Sequence, residues 1–413
     1  MSAQDAAPVR AQTVTMTRPP FWRDVRVLRV VGQIAALVAA YLTGRWLIGN
    51  LLTNLDEQGI SSDFGVLNQP ANFSVRDSGF DGRSPVFPDL LWVGIKNTAL
   101  ASGVGIIIAV ILGTLIGIGR LSDNWLVSKL SQFYVETLRN IPPLVIITFF
   151  GFALFTFGPF PAFQPNSPPT QLKLPGSESN LLILSKDRWG IPSFATDGTN
   201  TGLFWILAAL ALLIAVGVWI WRTRVNVNTG DPHRRVLFSV GAFVLLTATF
   251  FVALGAPYRW SWPAVSESGR IIEGGFATNA GYMSVTVALG LYTASHIAEI
   301  IRGSILSVQK GQSEAANALA LSGFQRYRFV VLPQAMRVAI PPGINQFLNL
   351  TKNTSLATVV GYPDITALIK TSIGNGKPAV QFLVVLMLIY LTFSISISVL
   401  MNFVNRRFQL VTR

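Results

Sequence analysis

The segment Gly311-Gln312-Ser313-Glu314-Ala315-Ala316, followed by Gly323 and then by Leu332-Pro333, decides how this chain is read. It is polar and alanine-rich, and it lies between two long apolar runs. Ser313 suits a helix N-cap, Glu314 suits the positive end of the helix dipole, and Ala315 to Leu321 is strongly helix-forming. Gly323 offers the left-handed conformation that ends such a helix, and Pro333 is expected to close a second short one. A polar helix joining two membrane-length segments has to stand outside the bilayer. Its small alanine faces leave room for close docking against a partner.

Working outward, the rest of the chain is built for lipid. Of its 413 residues 51% are hydrophobic and 12% charged, about half the charged fraction of an average soluble protein. Apolar runs of roughly 20 residues recur, enough to cross a ~30 Å hydrocarbon layer. Eight spans are expected: Val30–Leu52, Trp92–Gly119, Phe133–Gly158, Leu203–Trp221, Val236–Gly255, Gly281–Ile301, Val338–Val360 and Phe382–Val404. With the N-terminus inside, the inside segments hold 19 Lys/Arg against 5 Asp/Glu, and the outside segments 9 against 12. That bias is the positive-inside pattern, and it accounts for the net charge of +13 without invoking nucleic acid. Cysteine is absent and only His233 and His296 offer imidazole, so neither disulfides nor a sulfur- or imidazole-based metal site is expected. The first residues are polar and read as a tail at the cytoplasmic face, not as a cleaved signal.

The expected organisation is a tail over 1–29, an extra transmembrane helix over 30–52 and an outside loop over 53–89. Core segments at 90–158 and 275–410 flank an insertion at 159–274. Loop punctuation is dense outside the membrane: Asn68-Gln69-Pro70, Asp77-Ser78-Gly79, Asp81-Gly82-Arg83-Ser84-Pro85, Pro168-Pro169 and Pro175-Gly176. Asp231-Pro232 marks a short inside connector. The spans at 203–221 and 236–255 are almost wholly Leu, Ala, Val, Phe and Trp, as suits helices at the lipid boundary. The span at 92–119 carries Gly105, Ala109, Gly113 and Gly117 four apart, which lets another helix approach closely.

Three spans carry polar residues that cost free energy at membrane depth. Glu136, Arg139 and Asn140 share a face ahead of Pro142-Pro143, and the first two can pair at i, i+3. Tyr292, His296, Glu299 and Arg302 fall near one face of another span. Asn345, Asn349 and Asn353 recur every four residues with Lys352 adjacent, and Thr354 and Ser355 follow. Ionisable groups in a span mark a pathway or pair with one another. Pairing weighs most for Glu136, Arg139, Glu299 and Arg302, near the ends of their spans. Lys352, deep in a broken polar span, suits a carboxylate.

At this point the residues carry a resemblance. The stretch GQSEAANALALSGFQRYRFVVLPQAMR, from Gly311 to Arg337, resembles the EAA loop of bacterial ABC importer permeases, with Glu314 and Pro333 at the family's separation. AEIIRGSI (298–305), TKNTSL (351–356), GIKNTAL with GRLS (94–122) and YVETLRNIPPLV (134–145) resemble its polar amino acid branch. The blocks lie in Leu90–Gly158 and Gly275–Leu410, about half of the 413 residues. Two positions depart from the family pattern: Ala320 replaces a glycine and Val330 an isoleucine. A long chain of this kind is similar to the general or acidic amino acid importers.

The resemblance implies an all-α integral membrane protein, with a type I ABC importer core of five helices plus extra N-terminal and inserted helices. It implies a permease subunit that moves amino acids, polar or acidic ones, from periplasm to cytoplasm by alternating access. Implied partners are a second homologous permease subunit in a heterodimer, two ATPase subunits and a periplasmic amino acid binding protein. The loop over 311–323 would be a coupling helix in the ATPase groove, with Gly311, Glu314, Ala315, Ala316, Gly323, Leu332 and Pro333 in the docking set. Candidates for the substrate path are Lys352, Asn353, Thr354, Ser355, Asn349, Asn345, His296, Glu299 and Arg139. No catalytic residue and no cofactor is expected on this chain. It lacks a G-x-x-x-x-G-K-[ST] phosphate cradle (Gly376-Lys377 has neither the upstream spacing nor the hydroxyl), so ATP and Mg²⁺ belong to the ATPase. The expected location is the bacterial inner membrane, multi-pass, with both termini cytoplasmic. A proton-coupled secondary transporter using Glu299 or Glu136 is the alternative; it explains the buried charge but not the loop.

Overall fold

The computed structural model describes residues 20, 22–75, 80–156, 161, 164, 168–196, 200–229, 234–269 and 271–408. Most of the N-terminal tail, Asp77-Ser78-Gly79, Gly158, Asp231-Pro232 and His233 lie outside them. Contacts divide the chain into two units, Met1–Val66 with Pro378–Gln381, and Leu67–Lys377 with Phe382–Arg413. The first holds one long helix, α1 (Val25–Glu57), opened by the Asp24 carboxylate accepting from Arg26 N at 2.9 Å.

In the second unit the centre is a pair of helices, α2 (Leu91–Gly119) and α7 (Ala280–Leu306). The expected small-residue stripe is what joins them. Gly105, Ala109, Gly113 and Gly117 are all buried. A Cβ added at Gly113 would lie 2.8 Å from the Ala294 carbonyl, and one at Gly117 2.7 Å from that of Ala298. The contacts advance in the same sense along both helices, so α2 and α7 run parallel. Only glycine allows backbones this close, and dispersion between them replaces the hydrophobic drive that lipid cannot supply. Around the pair, Ile146, Ile147, Tyr282, Val285, Leu289 and Leu350 form the main buried cluster.

Among the described residues six helices are long and apolar enough to cross a membrane, at Val25–Glu57, Val86–Gly119, Thr201–Val225, Arg235–Ala253, Ala280–Leu306 and Ala379–Arg406. The two other expected spans are broken. The one at 133–158 divides into α3 (Trp125–Arg139) and α4 (Pro143–Thr148), which runs into a π-helical stretch at Phe149–Thr156. Pro142 lacks an N–H and Pro143 fills the first turn of α4, so the ladder stops at Asn140. The one at 338–360 starts earlier, as α10 (Leu332–Asn353), and ends in a 3₁₀ stretch, Thr354–Val360, closed by Gly361 at φ 71°. Pro341 and Pro342 lie inside α10.

The insertion is more than loop and lipid helix. Its turn-rich parts fold into short strands: β1 (Thr170–Lys173), β2 (Asn180–Leu184), β3 (Arg188–Ile191) and β4 (Ser193–Thr196) precede the apolar helices α5 (Thr201–Thr229) and α6 (Arg235–Ala253). After them come β5 (Tyr258–Ser261), β6 (Ala264–Val265), β7 (Ile272–Glu273) and β8 (Phe276–Asn279). One sheet has the order β1-β2-β3-β8, so strands from both sides of the helical hairpin pair, with Arg188 opposite Asn279. β8 runs directly into α7, whose N-cap is the Asn279 side chain accepting from Tyr282 N at 2.8 Å.

Candidate functional site

Three features carry chemistry. The first is the connector from α7 to α10, which holds two short helices, α8 (Lys310–Ala318), shorter than the 311–323 expected for it, and α9 (Gly323–Arg326). The expected caps shift. Gln309 occupies the N-cap, so Ser313 sits inside α8 and Glu314 a turn from its start. The chain turns at Ala320, φ 55°, a left-handed conformation in which an L-residue is strained. Gly323 opens α9 instead of ending a helix. Ser322 caps it through a reciprocal capping box with Gln325, bonded at 2.9 and 3.3 Å. Pro333 likewise begins α10 instead of closing the helix before it.

The connector is braced against its own chain and open elsewhere. Gln334 donates to Gln312 at 3.1 Å, and Arg326 to Asn317 at 3.1 Å. Ala316 is buried against that frame, while Gly311, Glu314, Ala315, Gly323 and Pro333 are exposed. Leu319 (75% exposed), Phe324 (71%), Phe329 (63%) and Leu332 (50%) leave a large apolar rim around them. An exposed apolar patch of this kind on a polar frame marks a surface for protein or lipid contact.

The second feature is an ion cluster where α2, α3 and α7 meet. The Arg120 guanidinium donates to Glu299, Arg302 donates to it at 2.6 and 3.3 Å, and Arg139 approaches to 3.8 Å. Three cations around one carboxylate leave the group net positive. Arg139 thus turns to Glu299 and not to Glu136, which accepts from Gln132 at 2.7 Å. Arg120 was missed from sequence, because its partner lies 179 residues away. His296 packs edge-on against Tyr292 at 4.8 Å between ring centres, and its Nε2 is buried without a hydrogen-bond partner. Tyr134 donates to the Leu291 carbonyl at 2.8 Å, which ties α3 to α7.

The third feature is the polar face of α10. Asn345, Asn349 and Lys352 are exposed along one side of that helix, and Asn353 is half-buried at its end. None of these four side chains takes part in a described hydrogen bond or ion pair. On the other side Leu350 and Thr351 are buried. Thr354 is buried and donates back to Thr351 O at 2.8 Å, so its hydroxyl serves the helix end. Ser355 is half-buried, its carbonyl accepting from Thr358 at 3.1 Å. Of the residues grouped from sequence, the fold thus brings Asn345, Asn349 and Lys352 onto one open face. It places Glu299 and Arg139 in a separate ion cluster.

Known proteins resemble this chain in sequence. The family pattern of binding-protein-dependent transport system inner membrane components matches residues 105–410. The general L-amino acid transport system permease protein AapQ of Rhizobium johnstonii is 37% identical over 94% of this chain and 94% of its own. The putative amino-acid ABC transporter permease protein YhdX of Escherichia coli is 36% identical over 92% of this chain and 94% of its own. The glutamate/glutamine/aspartate/asparagine transport system permease protein BztB of Rhodobacter capsulatus is 33% identical over 94% and 96%. With half-broken spans, a braced and exposed connector, and relatives matched nearly end to end, the chain belongs to the family of binding-protein-dependent transport system inner membrane components.

Proposed function

We propose that this chain is one permease subunit of an ATP-driven importer that moves amino acids from periplasm to cytoplasm. The observation that carries the reading is the open stripe Asn345, Asn349 and Lys352 on α10. A lysine and two amides facing lipid would cost several kcal/mol, so the stripe belongs against a water-filled path or a partner chain. In a heterodimer with a second, homologous permease it lines the route between the two, with Lys352 receiving the substrate carboxylate. The printed names of the relatives, general and acidic amino acid permeases among them, support that substrate class.

The energy source lies on other chains. Two ATPase subunits bind ATP and Mg²⁺ on the cytoplasmic side, and α8 with the apolar rim around Phe324 sits in a groove on one of them. A periplasmic binding protein delivers the amino acid to the opposite face. This arrangement puts the chain in the bacterial inner membrane with both termini cytoplasmic, in keeping with the Lys/Arg bias of the connecting segments. The Glu299 cluster then ties the cytoplasmic ends of α2, α3 and α7 together, so motion at α8 reaches them as a unit.

Reconstitution with the partner subunits tests the whole reading: uptake of labelled amino acid should require ATP and the binding protein. Uptake that instead runs on a proton gradient without ATP would overturn it. Glu314→Lys should release the ATPase during purification while the spans stay inserted, and undiminished co-purification would remove α8 from the docking surface. Lys352→Met should lower uptake by about tenfold or more at unchanged assembly. Unaltered uptake kinetics would make Lys352 a packing residue.

A further inference from the structure

The inserted pair of apolar helices carries a ribbon of two short strands at one end. β4 stops at Thr196, just before α5 begins at Thr201, and β5 starts at Tyr258, just after α6 ends at Ala253. The strands pair antiparallel, with Phe194 opposite Trp260 and Thr196 opposite Tyr258. Side chains alternate across a strand, so these four residues share one face, and Arg259, the charged residue of the ribbon, belongs to the other. The short connections keep the ribbon close to the ends of the helices that carry it. Asn200 donates to the Leu254 carbonyl at 3.3 Å and closes them together.

A hydrogen bond fixes the depth. Trp205 lies near the start of α5 and is exposed, and its indole N–H donates to the Tyr258 hydroxyl at 2.6 Å. The tyrosine therefore sits beside the end of a membrane-length helix. Trp260 follows two residues later, at most ~7 Å along the strand. The headgroup layer on each side of a bilayer is roughly 5–8 Å deep, so the ribbon stands at its level. The shared face is aromatic. Phe194 and Trp260, both exposed, meet edge-on at 5.1 Å, and Trp262 meets Trp260 at 5.7 Å. Tyr258 joins them to Trp205, at 6.3 Å between ring centres, so the patch continues the surface of α5 on which Trp205 and Ile206 are exposed. Tryptophan and tyrosine combine an apolar ring with a polar N–H or O–H, which favours them where hydrocarbon gives way to headgroups. The ribbon is also bonded to the rest of the insertion. Gly275 N donates to the Ser261 hydroxyl at 3.0 Å, and Asn180 of β2 donates to the Pro263 carbonyl at 3.1 Å.

We infer that the β4–β5 ribbon is an interfacial anchor: its Phe194–Trp260 face lies in the outer headgroup layer of the bilayer and holds the inserted sheet on the lipid surface. The inference rests on the importer reading only for which face is outer, and not for the solute or the energy source. Because β8 belongs to that sheet and runs directly into α7, the anchor gives the outer end of α7 a fixed footing.

The test uses the whole transporter in phospholipid nanodiscs, with its other subunits free of reactive thiols. This chain has no cysteine, so Phe194→Cys gives it a single site for a nitroxide spin label. Collisions of the label with oxygen, which concentrates in lipid, are compared with collisions with a water-soluble nickel chelate. Labels at Leu213→Cys, exposed at mid-span on α5, and at Glu267→Cys, exposed just after β6, set the lipid and water limits. The oxygen-to-nickel ratio at position 194 should fall between those limits and several times above the value at 267. A ratio equal to that at 267 overturns the inference. So does a label shielded from both reagents, which means that another protein covers the ribbon. A second measurement needs no label: phospholipids brominated on the upper part of their acyl chains should quench a larger fraction of the tryptophan emission in wild type than in Trp260→Phe. Equal fractions overturn the inference as well. All of these outcomes leave the importer reading standing, because ATP-dependent uptake is measured separately and fails only if that reading does.

Discussion

Two pairs of helices in this chain use glycine in opposite ways. Where α2 and α7 meet, glycines mark the closest approaches: Gly113 faces Ala294 and Ile297, Gly117 faces Ala298, and Gly290 faces Ile108. Along α5 and α6, Gly217 and Gly241 have nothing within 4 Å of the position a Cβ would take. That second pair meets through side chains, as where Phe204 stacks edge-on against Phe251 at 6.0 Å. Between α7 and the α5–α6 pair, hydropathy runs against burial. The α7 window has a mean of 1.3 and is 61% buried, whereas those of α5 and α6, at 2.7 and 2.3, are 22% and 6% buried. In a bilayer the greasiest helix is the one that lipid can cover. The helix that must be covered by protein is made of small and polar residues.

That contrast breaks if the glycines are interchangeable, and the largest expected effect lies there. Gly113→Leu would drive a side chain into the Ala294 carbonyl, and overpacking of this sort costs about 1–3 kcal/mol or more. The folded, detergent-stable yield should collapse, while Gly217→Leu should leave the thermal midpoint nearly unchanged. Equal losses in both would mean that α5 and α6 are packed as tightly as the core.

A second test sharpens how the core ends are tied. Glu299→Gln removes the only negative charge among Arg120, Arg139 and Arg302 and weakens hydrogen bonds worth about 1.5–3 kcal/mol each to charged groups. The midpoint of thermal unfolding should fall clearly, by less than for Gly113→Leu. Replacing Glu136 in the same way should do much less, since it is exposed and its carboxylate accepts from the neutral Gln132. If the two variants behave alike, the cluster does not hold the helices together. The smallest effect is expected for Gly217→Ala, where the helix gains up to about 1 kcal/mol of propensity and meets no neighbour. A measurable loss there would place a partner surface on α5.

Much of this was legible in residue order. The four-residue spacing of Gly105, Ala109, Gly113 and Gly117 announced a packed face, because helical periodicity alone sets which residues share a side. The α10 stripe was legible for the same reason. The connector was found, but its internal punctuation was misread. Ser313 looked like a cap and Gly323 like a stop, yet Gln309 and Ala320 take those positions. Cap preferences are worth only about 1 kcal/mol, small enough for tertiary context to override them. The strands of the insertion gave little warning, being two to five residues long and paired across a helical hairpin.

Sequence alone, then, determined that the chain lives in a membrane, which helices seek lipid and which seek protein, and where a polar connector leaves the bilayer. These follow from hydropathy and periodicity, properties of neighbours along the chain. The tertiary structure alone decided that Glu299 belongs to Arg120 and that Lys352 is left open. Those outcomes depend on which distant segments share a few ångströms of space, and charge pairing over that range has no imprint on local sequence.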